Sequence, residues 1–195
     1  MSGVVIQDGT GSGTKVMVGG RNRLHTHSLS ATSASVAVAT GDTFNVSSEL
    51  VTLTSANESS LLYVSNNEVD IISVTTLFVN IGTSTDGTGE GLIKFHLNPT
   101  GGTIISDATA AQVLNRNISN NTVIALAAYK GAEGKTCTGG DEIQLPSTGG
   151  PIASEYILPR GASFALSYTP PAGNTSIKIQ IGFLVIKKYN EYTTD

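Results

Sequence analysis

The sequence predicts an all-β fold, a single jelly roll or β-sandwich of about eight to ten antiparallel strands behind an extended glycine-rich N-terminal arm. Three observations point there. Only 13% of the 195 residues are charged, so the polar surface must be built from Ser, Thr and Asn. These residues cap turns and, in the case of Thr, suit pleated sheets, while they populate helix interiors poorly. Twenty-two glycines and six prolines supply many turns. From residue 33 onward, short alternating apolar runs recur between those turns.

Taken in order, residues 1–28 hold too few apolar groups to fold alone and are read as the arm, and residues 29–195 as the sandwich. In "ASVAVAT", Val36 and Val38 share one strand face. "ELVTLT" and "SLLYVS" follow as strands. The run "EVDIISVTTLFVNIG" sets Ile71, Leu77, Val79 and Ile81 on one side and Ile72, Val74 and Phe78 on the other, which predicts cover on both faces mid-strand. "GLIKFHLNP" alternates, with Ile93, Phe95 and Leu97 inward and Lys94 and His96 outward. "NPTGGT" is a turn, and "SDATAAQVLN" is the one helical candidate, with Ser106 or Asp107 as its N-cap. "TVIALAAYK" resumes strand, "GAEGKTCTGGDE" reads as a loop, and "SEYILPRG" leads into the strand "SFALSYT". "PPAGN" then makes a hairpin connection to "TSIKIQIGFLVIKKY", where Ile177, Ile179, Ile181, Phe183 and Val185 all point one way until Leu184 and Ile186 make both faces apolar.

Charge and length exclude several classes of function. A net charge of −4 with scattered lysines and arginines leaves no basic footprint for nucleic acid. The longest apolar run, "GFLVI", falls far short of the ~20 residues of a membrane span. A single cysteine, Cys137, cannot form an internal disulfide, and no signal peptide is visible, so folding in a reducing cytosol is expected.

Motifs that carry chemistry are incomplete. In the first phosphate-loop mimic, "DGTGSGTK", Thr14 stands before Lys15 where glycine is required; in "YKGAEGKT" the residues Gly134, Lys135 and Thr136 fit, but Tyr129 holds the leading glycine position. Asp86, Glu90, Glu133, Asp141 and Glu142 fall in expected loops, with nothing to pair them across a cleft as glycoside hydrolysis requires. Asp86 and Glu90 lack the dense acidic ladder of a calcium loop. Cys137 reads as a lone loop cysteine rather than a nucleophile partnered by His25, His27 or His96. His25 and His27 would emerge on one side of a strand. One chain then offers two imidazoles, too few for a stable site, whereas three chains around an axis would offer six to iron, nickel or zinc. The spacing resembles the metal-binding motifs on the axes of trimeric phage tail-fibre tips, although two solvated histidines on an exposed strand are the simpler reading. No cofactor or catalytic residue is expected.

Four stretches, "DGTGSGTKVMVGGRNRLHTHS", "NPTGGTIISDATAAQVLNRNIS", "YKGAEGKTCTGGDE" and "LPRGASFALSYTPPAGNTSIKIQI", occur in this order. Together they resemble small structural proteins of tailed-bacteriophage virions, across nearly the whole chain and through glycine and turn punctuation. That resemblance implies a jelly-roll protein on the particle exterior, made in the host cytoplasm and often trimeric. The first functional expectation is therefore a capsid decoration (cement) protein, with the major capsid protein and copies of itself as partners, and no nucleic acid or membrane. The arm would order by donating strand hydrogen bonds to a neighbour. The alternative is a head-fibre, tail or baseplate module that binds host-surface glycans, with Tyr129 and Tyr189 as its exposed aromatics.

Overall fold

The clearest alternation in the chain, Ile177 through Val185, becomes the middle strand of a five-stranded sheet. Every residue of that series is buried while Lys178 and Gln180 are exposed. The structure is a computed structural model that describes residues 18–19, 23–24, 33–82, 91–119, 122–145, 150–173 and 176–188. The chain divides into two units, Met1–Thr32 and Ser33–Asp195. In the first, β1 (Val18–Gly19) pairs antiparallel with β2 (Arg23–Leu24).

The second unit begins with α1 (Ser33–Thr40) and continues through β3 (Thr43–Leu53), β4 (Ser59–Asn66), β5 (Ile71–Gly82) and β6 (Leu92–Leu97). A short helix α2 (Thr103–Ser106), β7 (Thr109–Ala110), β8 (Gln112–Asn115) and β9 (Leu126–Lys130) come next. The unit closes with β10 (Asp141–Leu145), β11 (Gly150–Leu158), β12 (Ser163–Thr169) and β13 (Ile177–Lys188). One sheet runs β11-β5-β13-β3-β8 and the other β10-β6-β12-β4-β9-β7, so the sandwich has five and six strands, eleven in all. Set β7, β8 and β9 aside, and the remaining eight form two four-stranded sheets. The chain crosses between them at every step except β6 to β10, which pair as antiparallel neighbours. This is the doubled Greek key of a jelly roll. The expected all-β sandwich is what residues 33–188 adopt, whereas the arm expected over residues 1–28 lies outside the described residues apart from β1 and β2.

Between the sheets, Phe164 packs on Phe95 at 4.9 Å and on Phe183 at 5.0 Å, and Phe95 stacks on Tyr156 at 4.7 Å. Rings from both sheets thus meet in one core with Leu53, Leu62, Ile72, Leu166 and Ile179. Burying each such side chain contributes about 1.5–3 kcal/mol.

Several local expectations are overturned. Residues 33–40 are helix rather than strand: Gly41, at φ 83°, ends them in a Schellman motif. There Gly41 N–H bonds the Val38 carbonyl and Asp42 N–H the Ala37 carbonyl. In "SDATAAQVLN" the helix lies earlier than the sequence suggests. It occupies the preceding Thr103–Ser106 and stops at Asp107, and the residues beyond Asp107 are drawn into β7 and β8 by pairing with β9 and β3. Cross-strand hydrogen bonds there outweigh alanine's helix propensity. "PPAGN" is no hairpin, because it joins β12 of one sheet to β13 of the other. Asp141 and Glu142, expected in a loop, begin β10. The two apolar faces predicted for β5 merge into one, except that Phe78 falls on the outer face, where it is exposed and not covered as expected. Thr76, at φ 52°, is a bulge left out of the pairing with β13, so Ile72 and Val74 before it and Leu77 and Val79 after it all turn inward.

Candidate functional site

The densest chemistry lies on the outer face of the six-stranded sheet. His96 of β6 points outward, as expected, yet is only 1% exposed. Its Nε2 lies 3.0 Å from Ser167 Oγ, which in turn lies 2.9 Å from Ser60 Oγ. Glu58 Oε1 is 3.4 Å from Nε2, and Glu142 Oε1 is 3.6 Å from Nδ1. Nδ1 itself is buried without a hydrogen bond. Lys94 spans the two carboxylates, at 2.8 Å from Glu58 and 3.5 Å from Glu142. The bond to Glu58 holds the Lys94 ammonium above the usual lysine range, against the opposing effect of burial.

A serine, an imidazole and a carboxylate in a row suggest acyl-transfer chemistry, but access decides otherwise. Ser167 is 0% exposed and Ser60 is buried with it, so no carbonyl substrate reaches either hydroxyl in this conformation. The row is roofed by the long connection from β6 to β10. Ile104 of α2 and Cys137 pack there with Tyr63 and Ala165. Burial, with Glu58 and Glu142 adding to it, pushes the Cys137 thiol up to about 11, so it stays protonated near neutral pH. What the arrangement does is tie the buried Ser60, Ser167 and His96 Nε2 into one row, leaving Nδ1 without a hydrogen bond.

The same connection consumes the residues of the phosphate-loop mimic. Lys135 is ion-paired with Asp107, and the Lys135 carbonyl accepts from Ser60 N–H at 2.8 Å. Thr136 N–H donates to Thr103 Oγ1 at 2.9 Å. Glu133 accepts from the N–H groups of Thr54 and Ser55 at 2.6 and 2.7 Å, chiefly the former holding its carboxyl below the usual range. Tyr129 stacks on Tyr63 at 5.5 Å, so it is no free aromatic platform. His25, His27, Asp86, Glu90 and Tyr189 lie outside the described residues. Among the described residues, no group of three or more His, Cys, Asp or Glu is arranged to hold a metal ion, and no helix is long and apolar enough to cross a membrane.

The outer face of the five-stranded sheet is built differently. The register places Phe78, Gly182 and Ser47 in one row across β5, β13 and β3, with Asn80, Gln180 and Leu50 in the next. A groove of about 450 Å³ is lined by all of these but Leu50 and reaches Asn45, Thr76, Leu184 and Arg116. Two irregularities beside β13 shape it. Thr76 bulges on the β5 side; on the β3 side Ser48 and Glu49 face the single residue Ile181, with Glu49 at φ 62° and Ser48 Oγ accepting from Ile181 N–H at 3.0 Å. Leu50, Phe78, Leu114 and Ile157 stand exposed on this face.

A third feature sits at the end of the sandwich where β4 and β8 finish. Val69 is 74% exposed, Val123 82% and Ile118 99%. Their loops are braced: Asn67 N–H bonds the Ala125 carbonyl at 3.0 Å, Ala125 N–H bonds Glu68 Oε1 at 2.6 Å, and Lys187 Nζ lies 3.1 Å from Glu68 Oε2. Asn115 Nδ2 reaches the carbonyls of Gly41 and Thr122 at 2.8 and 3.1 Å. Sequence reasoning missed the groove and this tip. The readable signals were amides at outward strand positions and large apolar residues inside Asn- and Ser-rich loops. No family model, curated protein or solved structure matches the chain.

Proposed function

We propose that the chain is a structural protein of a tailed-bacteriophage particle, a capsid decoration protein that docks on the major capsid protein from outside and associates as a trimer. The phage assignment and the trimer rest on the resemblance of the four glycine- and turn-punctuated stretches. The docking reading rests on one observation of its own: Val69, Ile118 and Val123 project from loops that hydrogen bonds already hold in place. An ordered apolar tip loses little conformational entropy on association. Burying three such side chains supplies a modest increment at each copy, and repetition over a lattice converts it into tight overall binding.

The test is co-sedimentation of the purified full chain with capsid shells, together with its mass in solution. The wild type should pellet with shells and weigh three chains. The triple variant Val69→Ser, Ile118→Ser, Val123→Ser should keep its melting temperature but lose at least about tenfold in affinity, the equivalent of ~1.4 kcal/mol. Shell binding untouched by the triple variant removes the tip from the reading, and a chain absent from assembled particles removes the function.

A further inference from the structure

We infer that the groove on the outer face of the five-stranded sheet is a carbohydrate-binding site, with Phe78 as the platform for a sugar ring and the amides of Asn45, Asn80 and Gln180 as its hydroxyl readers. Size is the first argument: about 450 Å³ lies within the ~300–1,000 Å³ of small-ligand clefts. The second is that the concavity is built. Bulges on both flanks of β13 bracket Gly182, where an added Cβ would stand 3.0 Å from the Val46 carbonyl oxygen. Bulges of this kind gather beside functional sites because they re-aim side chains. One of them forces a β-branched residue, Thr76, to φ 52°, a strained conformation that persists only where its surroundings hold it.

The third argument is chemical. A pyranose ring shows an apolar C–H face and a rim of hydroxyls that each donate and accept. Phe78 is 50% exposed, an aromatic surface waiting for an apolar face. An amide carries a donor and an acceptor side by side, the match for two neighbouring hydroxyls. Asn45, Asn80 and Gln180 are exposed around Phe78, and the Gln180 amide is oriented by its N–H bond to Ser47 Oγ at 3.1 Å. Among the described residues no carboxylate lines the groove, and Arg116 is the one charged residue that does. That set does not suit a metal ion or an amine, and one cation is too few for a nucleic-acid backbone. Val69, Ile118 and Val123 are not part of the groove, so sugar binding and lattice docking fail independently.

The experiment uses the full-length protein on a printed array of neutral and acidic glycans, followed by nitrogen-15 NMR titration with the strongest oligosaccharide. Saturable shifts should map to the backbone amides of residues 45, 78, 80, 180 and 182. Phe78→Ala should weaken binding about tenfold, and Asn80→Leu about three- to tenfold. Phe78→Tyr should bind within about threefold of wild type. Both positions face solvent, so melting temperatures should match and separate lost binding from lost folding. Binding to no glycan on the array, or binding that Phe78→Ala and Asn80→Leu leave unchanged, overturns the inference.

Discussion

The two outer faces of this sandwich have been treated in opposite ways. On the six-stranded side, residues 98–140 lay α2 and the Cys137 loop over the sheet, and polar side chains such as His96 and Ser167 are sealed beneath. On the five-stranded side, Phe78 and the amides around Gly182 face outward along a groove. The covered face holds the more reactive residue types, yet it is the open face that offers somewhere for a ligand to sit. Accessibility separates a site from a structural network more sharply than the reactivity of its residues does.

The sharpest way to break this contrast is to compare two glycines. Gly131 opens the Cys137 loop of the covering segment against β4, where its N–H bonds the Leu61 carbonyl at 2.8 Å. A Cβ there would overlap the Ser60 carbonyl oxygen, a backbone atom that cannot swing aside. Gly131→Ala should cost about 3 kcal/mol in chemical denaturation. Gly182→Ala on the open face meets only a tight approach to Val46 and should cost about 1 kcal/mol. Equal losses would mean that the cover contributes no more than the bare face.

Next in size is the buried hydroxyl pair. Ser167→Ala strips Ser60 and His96 of their shared partner and should destabilise by about 1–3 kcal/mol. Asn80→Ala across the sandwich should stay within about 0.5 kcal/mol. A neutral Ser167→Ala would show that water already satisfies the row.

The smallest effect concerns the tip. Burial pushes the Glu68 carboxyl up, but the Ala125 N–H bond and Lys187 outweigh it and hold it below the usual glutamate range. A carboxyl lowered by folding stabilises above its unfolded value, and that contribution is lost as pH falls through the folded one. The protection of the Ala125 amide, its exchange taken relative to the intrinsic rate at each pH, should therefore fall on acidification below the ordinary glutamate range. In Glu68→Gln that protection should already be reduced at neutral pH and should vary less with pH.

Legibility in the sequence divides along the same line. The alternation of β13 announced a half-buried strand because burial imposes a period of two, and each of its inward residues is buried. The phase break in β5 was invisible, since Thr76 is a residue nobody would choose for positive φ. The helix at 33–40 carried its own signal in Gly41, the αL cap, but Val36 and Val38 mimic a strand when only spacing is weighed. His96 pointed outward as its alternation required; its burial came from a segment that begins only after the strand's end. The groove draws on β3, β5, β13 and Arg116, residues 45 to 184. Only the register of the sheet brings them together, and no local pattern encodes register.

The insertion of residues 98–140 leaves from β6 and returns to β10, two strands that pair directly. It is therefore a cassette with adjacent ports, and a two-residue turn could close the gap it leaves. Such a minimal shell would retain its eight-stranded frame but lose at once its roof over His96 and two of the three side chains of its sticky end. Rewriting this cassette alone would change the landing surface and take Arg116 from the opposite groove, while β3, β5 and β13, which carry the rest of that groove, stay in place.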